Sequence, residues 1–190
     1  DALSANSQAA SNSPITLNKE ANNLGVDFVH KENIFDDYKS QILLPHEVSK
    51  YGPAIAIGDV NKDGMEDIFL GGARGQISRL YLQKADGTFA ADPKFGSIIE
   101  SEDVAAKFID PNNDGNLDLI VSVGDADLST TPEAMKVRFY LNDGKGGLAI
   151  GLNLLPADNV TGGPIASWDF DKDGDQDIII GSRVVPDKYP

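Results

Sequence analysis

The chain has 190 residues, with 30 Asp and Glu against 16 Lys and Arg, for a formal charge of −14. That length fits one ordinary domain or part of a larger one, and a hydrophobic content of 41% supports a core and excludes a disordered acidic tail. The charge disfavours nucleic-acid backbones and anionic membrane surfaces, and the absence of cysteine excludes disulfides, thiolate nucleophiles and Cys-ligated metal centres.

Residues 1–22, rich in Ser, Asn and Ala, read as a linker or an arm that orders only by docking. A start at Asp1 rather than Met leads us to expect a processed or excised form. No run reaches the roughly 18 apolar residues of a membrane-spanning helix. Residues 23–50 form a segment expected to pack on, or lead into, the strand-rich remainder of the chain. It holds both histidines, His30 and His46, with Asp36 and Asp37 between them. Such groups could ligate a transition metal or exchange protons, but the reading we prefer is a solvated or packing histidine.

Three nine-residue windows then align without gaps: DVNKDGMED at 59–67, DPNNDGNLD at 110–118 and DFDKDGDQD at 169–177. Their first residues, Asp59, Asp110 and Asp169, fall 51 and 59 positions apart. Each window is flanked by short apolar or alternating runs: PAIAIG and IFLGG, VAAKFI and LIVSVG, PIASW and IIIGS. This pattern predicts strand, loop, strand. Further strands are predicted at 77–83 and 136–142, followed by the turn pairs Asp86-Gly87 and Asp143-Gly144. The fold class is all-β, built from units of the length seen in propeller blades and solenoids. The units run over 51–102, 103–161 and 162–190, the last incomplete.

In each window, oxygen-bearing side chains occupy positions 1, 3, 5 and 9, with Gly at position 6. A hard cation such as Ca²⁺ takes about 6–8 oxygens, and a short loop supplies them by curling around the ion. The carbonyl at position 7 completes the donor set. A helix–loop–helix calcium hand would need Glu at position 12, where Leu70, Val121 and Ile180 stand inside strands. Mg²⁺ suits a multi-carboxylate loop less well than Ca²⁺. A bare turn made of Asp, Asn and Gly is the plain alternative, weakened by three repeats in register. Twelve of the thirty acids and only two bases, Lys62 and Lys172, lie in these windows, so the charge is concentrated there.

With these residues in view, the chain resembles the FG-GAP or VCBS repeat of integrin-α-type β-propellers, most closely in GDVNKDGMEDIFLGGARG and DFDKDGDQDIIIGS. Residues 25–60 are similar to bacterial VCBS-repeat surface proteins with ASPIC/UnbV-type regions. The resemblance implies a partial propeller: two full four-stranded antiparallel blades and the start of a third, with a calcium loop between strands of each. Three Ca²⁺ sites are expected. Their ligands by position are Asp59, Asn61, Asp63, the Met65 carbonyl and Asp67; Asp110, Asn112, Asp114, Asn116 and Asp118; and Asp169, Asp171, Asp173, Asp175 and Asp177. Propellers close with about 4–8 blades, so the remainder is expected from further sequence or another chain.

No convergent catalytic set is evident. Ser101-Glu102-Asp103 and Ser129-Thr130-Thr131 read as polar loops. Gly71-Gly72-Ala73-Arg74-Gly75 lacks a phosphate-loop ending and reads as a turn. Trp168 is expected in the core, and Tyr38, Tyr51 and Tyr189 carry no pattern. The reading is a non-catalytic, calcium-binding propeller segment of an extracellular or cell-surface protein, bacterial and outer-membrane-associated. It would act in adhesion, in recognition of a protein or glycan, or in assembly with other subunits. The alternative is the propeller part of a polysaccharide-processing enzyme, with its site on the loops at 84–102 and 143–163 or in absent sequence.

Overall fold

The computed structural model describes residues 24–39, 42–47, 49–96, 99–124, 137–151 and 162–182. The arm expected at 1–22, the Ser129-Thr130-Thr131 run and Tyr189 lie outside them.

The fold is β, with a single 3₁₀ turn at Asp37–Lys39 among the described residues. β1 (Ile55–Gly58), β2 (Asp67–Leu70), β3 (Arg79–Gln83) and β4 (Phe89–Ala91) form one antiparallel sheet in sequence order. β5 (Glu102–Ile109), β6 (Asp118–Gly124), β7 (Arg138–Asn142) and β8 (Leu148–Gly151) form a second of identical topology. β9 (Gly162–Trp168) and β10 (Asp177–Ser182) pair as a third, two-stranded sheet. These are propeller blades: two complete and one begun. Position 9 of each acidic window opens the second strand, where Gly58 pairs with Asp67, Ile109 with Asp118 and Trp168 with Asp177. The windows are thus the β1–β2, β5–β6 and β9–β10 loops.

First strands of neighbouring blades lie side by side, β1 against β5 and β5 against β9. β1 permits this by turning its small residues inward. Ala54, Ala56 and Gly58 are buried, while Ile55 and Ile57 are exposed on the other face. A Cβ on Gly58 would come within 2.9 Å of Leu117 Cδ1 and 3.1 Å of Phe108 Cδ2, so any larger residue there would have to displace those side chains. β6 is buried along its whole length, because both its faces are covered. Leu119, Val121 and Val123 join Phe69 and Leu80 in the core between the first two blades; Ile120 joins Ile109 and Phe139 in a second core against Ile165 and Ile178. Phe95, from the β4–β5 connection, completes the first core. Its ring meets Phe69 edge-on at 5.7 Å and Tyr140 at 5.3 Å.

Two sequence expectations are corrected. Trp168 is 64% exposed, its ring edge-on to Phe170, because it shares the outward face of β9 with Pro164 and Ala166. Glu102 and Asp103 are not loop residues: they open β5 and are buried. Asp103 takes an ion pair from Arg138 and a 2.6 Å hydrogen bond from Ser78 Oγ. The 84–102 stretch also holds β4 and the core residue Phe95, and β8 lies within 143–163.

Residues 24–33 run across the first blade as a strap. Leu24 O accepts from Phe89 N, Tyr81 donates its phenol proton to Asp27 at 2.6 Å, and Gln76 Nε2 donates to Val29 O at 2.7 Å. The phenol proton holds the Asp27 carboxyl below its ordinary range, while burial and Asp27 push the Tyr81 phenol up. Strap and β2–β3 loop enclose a cleft of about 710 Å³ lined in part by Asp27, Lys31, Glu32, Arg74 and Arg79.

Candidate functional site

The three acidic loops are built to one hydrogen-bonding plan. The position-1 carboxylate accepts from the position-6 glycine N–H: Asp59 from Gly64 at 2.8 Å, Asp110 from Gly115 at 2.8 Å, Asp169 from Gly174 at 3.2 Å. The position-5 carboxylate accepts from the N–H at position 7: Asp63 from Met65, Asp114 from Asn116, Asp173 from Asp175. The position-3 oxygen of Asn61, Asn112 and Asp171 accepts from the N–H at position 5. Side-chain oxygens are therefore drawn to the inside of each curl.

The backbone reverses twice in each loop. Gly64, Gly115 and Gly174 have φ of 86°, 79° and 101°, as position 6 requires. Position 4 also enters the left-handed region, at Lys62 (60°), Asn113 (53°) and Lys172 (64°), which the sequence pattern does not announce. At Lys62 and Asn113 the side chain is thrown outward, onto the next blade's loop. Lys62 places its ammonium over Gly115, and Asn113 Nδ2 donates to Gly174 O at 2.8 Å. The Asp114 carboxyl is held low, first by the Asn116 N–H and in smaller part by Lys62.

Position 9 separates the loops. Asp67 is fully buried, and both its oxygens accept backbone protons, from Val60 at 3.1 Å and Gln83 at 2.9 Å. Asp177 likewise accepts from Phe170 N at 2.7 Å. In the middle loop, position 2 is Pro111, which has no N–H to give. Asp118 Oδ1 accepts from Asn142 N at 2.8 Å, and Oδ2 is buried without a hydrogen-bond partner among the described residues. A second such oxygen, Asp169 Oδ1, lies in the third loop. Burial pushes the Asp67 and Asp118 carboxyls up from their ordinary range.

In the third loop, carboxylate oxygens of Asp169, Asp171 and Asp177 lie within 4.8 Å of one another. Asn61 and Asn112 stand at the position of Asp171, so the first two loops offer an amide oxygen in place of that acid. Asp173 and Asp175 sit together there: the Asp175 N–H holds Asp173 low, and hydrogen bonding to Asp173 pushes Asp175 up. Hard oxygen donors, like charges gathered in one short loop and orphaned buried carboxylate oxygens fit a divalent cation. The residues that would hold it are those at positions 1, 3, 5 and 9, with the carbonyls of Met65, Asn116 and Asp175.

The two histidines do not meet Asp36 or Asp37. His46 Nε2 lies 3.0 Å from the Tyr51 hydroxyl, and Asp37 accepts from Ser49 Oγ at 2.6 Å. His30 goes instead to Glu32 and Glu102, a grouping spread over 73 positions that no local pattern announces.

No helix among the described residues is long and apolar enough to cross a membrane. Comparison with curated proteins gives no match. In the comparison with protein families, residues 48–121, spanning the first blade, β5, the β5–β6 loop and the start of β6, match the FG-GAP-like repeat.

Proposed function

We propose that this chain is a calcium-stabilised, non-catalytic propeller segment of a secreted or cell-surface protein. The carrying observation is the repeated loop plan, with two buried carboxylate oxygens, on Asp118 and Asp169, that no donor among the described residues satisfies. A bound Ca²⁺ supplies positive charge to the three oxygen sets; the chain's own N–H groups pre-orient the carboxylates and the position-6 glycines close each curl. Recognition belongs away from these loops. The β2–β3 loop lies at the far end of β2, and its cleft with the strap offers Lys31, Arg74 and Arg79 beside Asp27 and Glu32, a mixed-charge surface for a protein or glycan.

Thermal melting in chelator and in millimolar Ca²⁺ tests the reading. A ligand present at about 100 times its Kd and bound only to the folded state adds about 2.7 kcal/mol, so the midpoint should rise by several degrees with Ca²⁺. Identical midpoints would overturn it. The enzyme alternative is separated by screening polysaccharides for turnover: product formation lost on mutating a carboxylate outside the three loops would favour it.

A further inference from the structure

We infer that His30, Glu32 and Glu102 form a separate site for a divalent transition metal of the Zn²⁺ type, joining the strap to β5. One nitrogen or oxygen from each of the three side chains lies within 4.8 Å of the others. His30 Nδ1 is 3.3 Å from Gly71 O. A carbonyl only accepts, so the neutral ring carries its proton on Nδ1 and its lone pair on Nε2. That is the arrangement of a metal-bound histidine oriented by a backbone carbonyl. Nε2 is buried without a hydrogen-bond partner among the described residues, on a side chain only 10% exposed. What faces it, 3.1 Å away, is Glu32 Oε1. In the neutral ring that lone pair meets a carboxylate, which is repulsive; a cation held by both, metal or proton, reverses the sign.

The surroundings hold these ligands in place. Glu32 Oε1 accepts from Gly52 N at 3.1 Å. Gly71 sits so close to the start of β5 that a Cβ would come within 2.5 Å of Asp103 Cβ, and Asp103 N donates to Gly72 O. Ala54 N in turn donates to Asp103 O. Strap, β1, β2 and β5 are therefore tied together around the cluster, with Glu102 nearly fully buried on β5. An imidazole with two carboxylates suits Zn²⁺ and its neighbours, whereas Ca²⁺ prefers oxygens alone. Three protein ligands leave a position for water. The cluster lies at the end of β2 opposite the first acidic loop, so it stands or falls apart from the calcium reading.

The test is a titration of the metal-stripped chain with Zn²⁺ alone, in saturating Ca²⁺, and with Co²⁺ as a spectroscopic substitute. One Zn²⁺ per chain is expected, and Co²⁺ should give a visible ligand-field band. Glu32→Gln, an isosteric change at a partly exposed side chain, should weaken Zn²⁺ binding about tenfold or more. His30→Gln should weaken it further and abolish the Co²⁺ band, with His46→Gln unchanged on both counts. Absence of Zn²⁺ binding, binding indifferent to Glu32→Gln, or a Co²⁺ band lost in His46→Gln instead would each overturn the assignment. A His30 ring protonated on both nitrogens in the presence of Zn²⁺, read by NMR, would do the same.

Discussion

Asn142 donates a 2.8 Å hydrogen bond from Nδ2 to the carbonyl of Val60, across 82 positions of sequence and from one blade to the next. The same amide group donates to Leu117 O at 3.0 Å, its Oδ1 accepts from Gly144 N, and its backbone N–H serves Asp118. One side chain therefore fastens the first acidic loop, the second acidic loop and the β7–β8 turn. Removing it strands two carbonyls. Asn142→Ala should cost about 1–3 kcal/mol, read as a lower urea midpoint. Asn142→Asp should fare no better, since a carboxylate cannot donate to either carbonyl.

Phe95 fills the space between the first two blades, 8% exposed and in contact with an aromatic ring from each. Truncation leaves a cavity that neither sheet can close alone. Phe95→Ala should lower stability by about 3–5 kcal/mol in denaturant unfolding; Phe95→Leu, which keeps most of the volume, should lose clearly less.

Arg138 and Asp103 form a buried ion pair, and burial outweighs the attraction of Arg138 in setting the Asp103 carboxyl, which is pushed up. A carboxyl raised in the folded state favours folding when protonated, and that contribution is lost as pH rises through its folded pKa. Arg138→Met removes the cation that opposes the rise. Breaking a buried pair costs about 3–5 kcal/mol. The deficit of this variant should be largest at neutral pH and should shrink as pH falls toward the ordinary carboxylate range. Denaturation of both proteins across that interval measures it; a pH-independent deficit would contradict the account.

Asp118→Asn should change sign with calcium. In chelator it removes a buried charge whose Oδ2 has no donor, so the variant should melt no lower than the parent. In millimolar Ca²⁺ it removes a ligand, and the gain in melting temperature should fall. Asp67→Asn lacks that advantage in chelator, because both Asp67 oxygens already accept backbone protons and an amide group can accept on only one side. The two substitutions, equivalent by alignment, should therefore part company in chelator.

Much of this arrangement is legible in sequence, because β-strands and their acidic turns are local. Alternating residues around Asp59, Asp110 and Asp169 give six strands, and Asp86-Gly87 and Asp143-Gly144 mark two more turns. Trp168 departs from the core placement expected of it although the signal is present: with Ile165 inward, alternation sends residue 168 outward. The left-handed backbone at Lys62 and Lys172 has no such signal, since lysine does not favour it. Nor could Ser101-Glu102-Asp103 be read as buried, because its burial depends on Arg138 and Ser78 arriving from elsewhere in the chain. The His30, Glu32 and Glu102 cluster is hidden for the same reason: its geometry exists only after the blades have packed.

The strap has a kinetic consequence. Its partners Gly71, Gln76, Tyr81 and Phe89 lie more than 40 positions downstream, on a loop and strands that must first be paired. Residues 24–33, though synthesised before the first blade, can dock only after it has formed. Last to arrive, the strap should be first to open: its amides should exchange with solvent at lower free energy than those of β6, detaching as a unit while the sheets beneath stay closed.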